Sequence, residues 1–124
     1  MKRTTKQKEA ILQAFRRAGR PLSVEELFSY AAEKVASINL STIYRILKGL
    51  IEEHGINKVD IPGEHARYEL VLSGHRHYFV CDLCTKVYAL ECCPRGLLDM
   101  VPIGFVLRDH SVTLSGSCLD CLSA

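Results

Sequence analysis

Apolar residues recur at helical intervals three times in the first half of the chain and alternate with polar ones afterwards. Ala10, Ile11, Ala14 and Phe15 form an i, i+1, i+4, i+5 stripe. That stripe predicts a helix opened by Thr5 and stopped after Ala18 by Gly19. Arg20-Pro21-Leu22 breaks the pattern. Ser23, with Glu26 three residues later, forms a capping box for a second helix, whose stripe of Leu27, Phe28, Ala31 and Ala32 lasts to about Val35. After a linker over 36–40, Ser41 or Thr42 opens a third helix. Ile43, Ile46, Leu47, Leu50 and Ile51 line one face of it, and His54-Gly55 ends it. Two alternating runs, 56–61 and 66–72, flank Pro62-Gly63 and read as a β-hairpin. Three short helices followed by a hairpin is the winged-helix layout, in which the third helix enters the DNA major groove.

Beyond Ser73-Gly74 the pattern predicts strands over 78–81 and 86–91, a short helix over 94–101 and a longer strand over 105–114. The expected organisation is α+β: a winged helix-turn-helix domain over 1–72, a hinge over 73–77, and a small α/β dimerisation and metal-binding domain over 78–124. Hydrophobic residues make up 48% and charged residues 24%, the balance of an ordinary globular protein rather than a disordered one. No apolar run approaches the ~18 residues of a membrane span. The charged start, Met1-Lys2-Arg3-Thr4-Thr5-Lys6, is unlike a signal-peptide core, so a cytoplasmic, reducing location is expected for the six cysteines.

The net charge of +2 decides little, but its distribution is informative. Residues 1–20 carry Lys2, Arg3, Lys6, Lys8, Arg16, Arg17 and Arg20 against Glu9 alone, whereas residues 61–124 hold more acidic than basic side chains. A basic first half points to a polyanion partner on that side. Ser41, Thr42, Tyr44 and Arg45 crowd the first turn of the third helix. Arg can bond guanine bidentately or clamp a phosphate, hydroxyls can bond phosphate, and a Tyr ring can pack on a thymine methyl.

The densest chemistry lies in two CxxC pairs, Cys81/Cys84 and Cys118/Cys121. Thiolates at that spacing converge on one tetrahedral Zn²⁺, and two pairs complete a Cys₄ shell. A thioredoxin-like redox site uses one such pair and leaves the other unexplained. The 33 residues between Cys84 and Cys118 are too many for a bare zinc ribbon, so the metal is expected to clamp an α/β unit by its two ends. His75 and His77 stand at i, i+2, which puts two imidazoles on one face of a strand. His110 and Cys92-Cys93 lie on or beside other predicted strands, and imidazole with thiolate is a favoured zinc shell.

The order of LSTIYRILKGLIEEHGI (40–56), RYEL (67–70), GHRHYFVCDLC (74–84), GFVLRDH (104–110) and GSCLDC (116–121) resembles the ferric uptake regulator superfamily of bacterial metal-responsive repressors. The resemblance implies a homodimer that binds an AT-rich inverted repeat in double-stranded DNA when loaded with metal. It places Tyr44 and Arg45 at contacting positions and Arg3 near a residue that reaches the minor groove. It also implies that His75, His77 and His110 share a regulatory ion. Where the family supplies a Glu as fourth ligand, counting back from Gly104-Phe105 lands on Cys93, with Glu91 and Cys92 as alternatives. A thiolate there favours Zn²⁺ over Fe²⁺. At the positions of a further family site the chain reads Pro21, Glu69, Arg76 and Tyr78, so that only Glu69 is retained. The expected function is therefore a zinc-responsive repressor of metal-uptake genes, with an iron-sensing or other metal-sensing regulator as the alternative.

Two other classes of function have partial signals in the chain. A zinc deaminase needs H-x-E with P-C-x-x-C, but His77 stands where the Glu would be and Val80 precedes Cys81, so no enzyme is expected. Cys93-Pro94 is a dipeptide that can ligate haem, and Cys92-Cys93 could oxidise, which defines a haem-sensing or redox-sensing member of the same family as a further reading.

Overall fold

The computed structural model describes residues 5–71 and 75–122, so Arg3, Ser73 and Gly74 lie outside the described residues. The chain divides into two compact units, Met1–Ser73 and Gly74–Ala124.

The first unit carries α1 (Lys6–Ala18), α2 (Val24–Lys34), α3 (Leu40–Glu52), β1 (Ile56–Val59) and β2 (Arg67–Leu70). Thr5 caps α1 by accepting from the Lys8 N–H, and Gly19 closes it at φ 63°. Both bonds of the Ser23/Glu26 box form, each at 3.1 Å. The start of α3 differs from the expected Ser41 or Thr42. Asn39 is the cap, its side-chain oxygen accepting the Thr42 N–H at 2.9 Å, because Asn serves as well as Ser in that role. Ile38 before the cap and Ile43 inside the helix both enter the core, as in a hydrophobic staple.

That core joins Ile11, Leu22, Leu27, Ile43, Leu47 and Ile56, each no more than 2% exposed. At about 1.5–3 kcal/mol for each fully buried aliphatic side chain, this cluster sets the angles between the helices. β1 and β2 pair antiparallel, Ile56 opposite Leu70 and Val59 opposite Arg67. Leu22 and Tyr68 exchange two backbone hydrogen bonds of 2.8 Å, which fasten the hairpin to the break between α1 and α2.

The second unit is a three-stranded sheet of order β4-β3-β5, with β3 at His77–Cys81, β4 at Val87–Leu90 and β5 at Thr113–Gly116. β4 runs antiparallel to β3 and β5 parallel to it. A four-residue helix, α4 (Leu119–Leu122), follows. His77, expected in the hinge, instead opens β3 and is buried.

Two expected elements are much reduced. The helix over 94–101 shrinks to a single 3₁₀ turn, Leu98–Met100. Gly96 adopts φ 86° within that span, and no residue between 91 and 101 is buried, so no apolar face anchors a helix there. The strand over 105–114 forms only from Thr113 onward. Phe105 and Val106 are 70% and 73% exposed, and the ladder with β3 begins at Tyr78↔Thr113. The alternation read from the sequence therefore reflects surface residues rather than a paired strand.

Candidate metal centres and nucleic-acid interface

Cys81 ends β3, Cys84 closes the turn that follows it, Cys118 precedes α4 and Cys121 lies within it. Asp82 N–H donates to Gly116 C=O at 2.8 Å, which holds the two CxxC arms side by side. The four sulfurs lie within 4.8 Å of one another, with Cys81–Cys121 at 3.6 Å and Cys84–Cys118 at 3.7 Å. A tetrahedron with Zn–S bonds of about 2.3 Å has edges of about 3.8 Å. All four cysteines are free thiols.

The four thiols are pulled in opposite directions, Cys81 and Cys118 toward the thiolate and Cys84 and Cys121 toward the thiol. Backbone N–H groups of Cys84 and Cys118 both point at Cys81 Sγ at 3.4 Å and hold its thiol down at about 6. The sulfurs of Cys118 and Cys81 push Cys121 up to about 12. Four sulfurs this close cannot share several negative charges unaided, and a divalent cation removes that conflict. The residues present fit a structural Zn²⁺.

The second cluster unites His75, His77, Cys93 and His110, again within 4.8 Å of one another. His75 Nε2 lies 3.2 Å from His110 Nε2 and 3.0 Å from Cys93 Sγ. Two nitrogens on one zinc ion at about 2.0–2.1 Å stand about 3.3 Å apart in a tetrahedral shell. Val112 N–H donates to His77 Nδ1 at 3.1 Å, while His77 Nε2 is buried with no hydrogen-bond partner among the described residues. A ring that accepts at Nδ1 carries its proton on Nε2 when neutral, so a cation bound there takes the proton's place. Burial, then the neighbouring His110 and His75, lower the His77 pKa below the usual imidazole value, which favours the neutral, ligating form. An orphaned buried nitrogen among two imidazoles and a thiol fits a metal ion.

Of the three alternatives for the fourth ligand, the sulfur of Cys93 joins the histidines. Glu91 instead pairs with Arg76 at 3.4 Å, and its side chain is 82% exposed. Cys92 is exposed and outside both clusters, and Glu69 is buried on β2 in the first unit, opposite Asn57. The reading of the sequence missed the Arg76–Glu91 pair. The signal was present: opposite charges one position beyond each end of the His77↔Leu90 register pair.

On α3, Ser41, Tyr44 and Arg45 are exposed, with Tyr44 at 54%. Thr42, the remaining candidate on this turn, is 9% exposed and buried beside Ile43. Near the other end of the helix, Glu53 pairs with Lys8 of α1 at 3.4 Å.

The sequence pattern of the ferric uptake regulator family matches residues 1–114. The chain belongs to that family. Its members are transcriptional regulators rather than enzymes. A ferric uptake regulation protein of Synechococcus elongatus is 32% identical over an alignment covering 96% of this chain and 85% of that protein. Among solved structures, a zinc-bound manganese uptake regulator superposes with a TM-score of 0.83 at 27% identity, covering 95% of this chain and 92% of its own. A zinc uptake regulator complexed with zinc and DNA shares the fold, with a TM-score of 0.59 at 24% identity over 98% of this chain and 84% of that one. The α+β architecture is thus that of the family. Among the described residues no helix is long and apolar enough to cross a membrane.

Proposed function

We propose that this chain is a zinc-responsive transcriptional repressor of metal-uptake genes, acting in the cytoplasm as a homodimer on an AT-rich inverted repeat. The observation that carries the reading is the gathering of His75, His77 and His110 with Cys93 at ligand distances. Three imidazoles and one thiolate suit Zn²⁺ better than Fe²⁺ or Mn²⁺, which prefer harder oxygen donors alongside nitrogen. Cys81, Cys84, Cys118 and Cys121 hold a second, structural Zn²⁺. Ser41, Tyr44 and Arg45 on α3, with Arg3, meet the DNA.

The dimer is supported by the apolar surface of the second unit. Leu98, Met100, Ile103, Phe105, Val106 and Leu119 are each at least 70% exposed, more than a solvated surface carries without a partner. A zinc-bound relative of high structural similarity supports the metal, and a zinc uptake regulator seen with DNA supports the operator partner.

An iron-responsive regulator is the second reading, favoured by the ferric uptake regulation proteins among the relatives. Operator-binding titrations against Zn²⁺, Fe²⁺ and Mn²⁺ at buffered free concentrations decide between them. A half-maximal response to Zn²⁺ far below that to Fe²⁺ or Mn²⁺ supports the zinc reading. A preference for Fe²⁺ transfers the assignment to the second.

A further inference from the structure

We propose that the Arg76–Glu91 ion pair is a positioning device for the second metal cluster, and that Glu91 acts on the metal through Arg76 rather than as a ligand. The inference rests on reading His75, His77, Cys93 and His110 as a metal site. The β3–β4 ladder ends at the register pair His77↔Leu90. One step further the register brings Arg76 opposite Glu91, and their side chains meet at 3.4 Å. Two of the ligands, His75 and Cys93, lie beyond the end of that ladder on the two chain segments the ion pair joins. Residues 91–93 have no regular secondary structure and are exposed, so the ladder does not itself hold Cys93 against His75. The ion pair is a cross-strand link at the point where the backbone bonds stop.

An arginine next in sequence to two cation ligands opposes the cation by Coulomb repulsion. Arg76 nevertheless lies between His75 and His77 in the sequence, on the opposite face of the strand from their imidazoles, with its side chain only 15% exposed. Neutralisation by Glu91 reduces that repulsion and leaves the geometric benefit. Repulsion and positioning therefore predict opposite signs when Arg76 is removed. Losing a nearby positive charge should tighten cation binding, whereas losing the link should weaken it.

The test uses the full-length protein with its Cys₄ site kept loaded with zinc and Co²⁺ titrated into the second site. The thiolate-to-cobalt charge-transfer band reports Cys93 ligation, and Zn²⁺ competition gives the affinity. Arg76→Gln and Glu91→Gln should each weaken binding about two- to fivefold, the range of an exposed ion pair. Arg76→Lys should lose less, and the exchanged pair, Arg76→Glu with Glu91→Arg, should restore binding toward that of the unsubstituted protein. Tighter or unchanged binding by Arg76→Gln would overturn the proposal. So would a Glu91→Gln variant as deficient as Cys93→Ser, because Glu91 would then be a ligand. If the unsubstituted protein shows no thiolate-to-cobalt band, the metal-site reading itself fails and takes this proposal with it. If the band is present and the variants match the unsubstituted protein, the positioning role alone fails.

Discussion

The backbone N–H of Cys118 points at the sulfur of Cys81, 37 positions earlier in the chain, at 3.4 Å. This contact joins the end of β3 to the start of α4, and the Cys84 N–H points at the same sulfur, also at 3.4 Å. Cys81 is fully buried, so its charge is stabilised by backbone dipoles and by any bound cation rather than by water.

Cys118→Ser should therefore give protein with less zinc and reduced stability. Structural zinc contributes about 10–16 kcal/mol in small zinc-finger peptides, enough to dominate a domain of this size. Zinc content by mass spectrometry and oligomeric state by sedimentation check this. A variant with full zinc content and an unchanged dimer would refute the Cys₄ site.

The α2 capping box gives a pH-dependent term in the first unit. Burial disfavours ionised Glu26, but the bonds from Arg20 and Ser23 outweigh it and bring its carboxyl below the ordinary value. A lowered folded-state pKa stabilises the fold at pH above the unfolded carboxylate value of about 4.3, and that contribution is lost as pH falls through the folded value. Ser23→Ala should cost about 1 kcal/mol at neutral pH through loss of the cap. Glu26→Gln should flatten the loss of stability below about pH 4.3. Denaturant unfolding as a function of pH measures both, and an unchanged acid limb in Glu26→Gln would exclude this carboxylate as a contributor.

The helices were legible because their signals are local. Thr5, the Ser23/Glu26 box and Gly19 are read within one turn of the residues they cap, and the stripe Ile43, Leu47, Leu50 is a repeat of short range. The second unit was less legible because its order comes from distant pairings. β5 reaches β3 only after the long irregular run through 91–112, and nothing local encodes that parallel register. Phe105 and Val106 look like strand residues but are exposed in the single chain, so their alternation does not report a ladder. For the proposed fourth donor the sequence points to Cys93 with Glu91 and Cys92 as alternatives, and of the three it is Cys93 whose sulfur lies beside His75. A choice among adjacent residues depends on backbone direction, which composition and spacing do not specify.

Arg45→Ala should weaken operator binding. A bidentate base contact would be lost at about 1–3 kcal/mol and relax specificity at one position, whereas a phosphate contact would lower the salt slope by about one unit. Tyr44→Ala should also weaken binding, since a ring 54% exposed is available to a partner. Thr42→Val should weaken binding less than Tyr44→Ala, because Thr42 is only 9% exposed. Fluorescence anisotropy across a salt series distinguishes these cases. Operator affinity independent of Arg45 at every salt concentration would remove this helix end from the interface.

His77→Ala should abolish metal-stimulated DNA binding while the Cys₄ zinc and the dimer persist. His77 is 2% exposed, so some loss of stability is expected as well, and His75→Ala at an exposed position gives the same test without a core cavity. Metal and DNA are coupled by a free energy that works both ways: if zinc raises operator affinity by some factor, operator DNA must raise zinc affinity by that same factor. Both variants should lose the two effects together. The ligands must be neutral imidazole and thiolate, so the response should weaken as pH falls below about 6.5. Burial, then His110 and His75, lower the His77 value, so this ring keeps its neutral, ligating form to lower pH than an ordinary imidazole. Zinc and operator titrations at matched pH measure this reciprocity. A normal zinc response in both variants would locate the sensor elsewhere, with Glu69 the first residue to test.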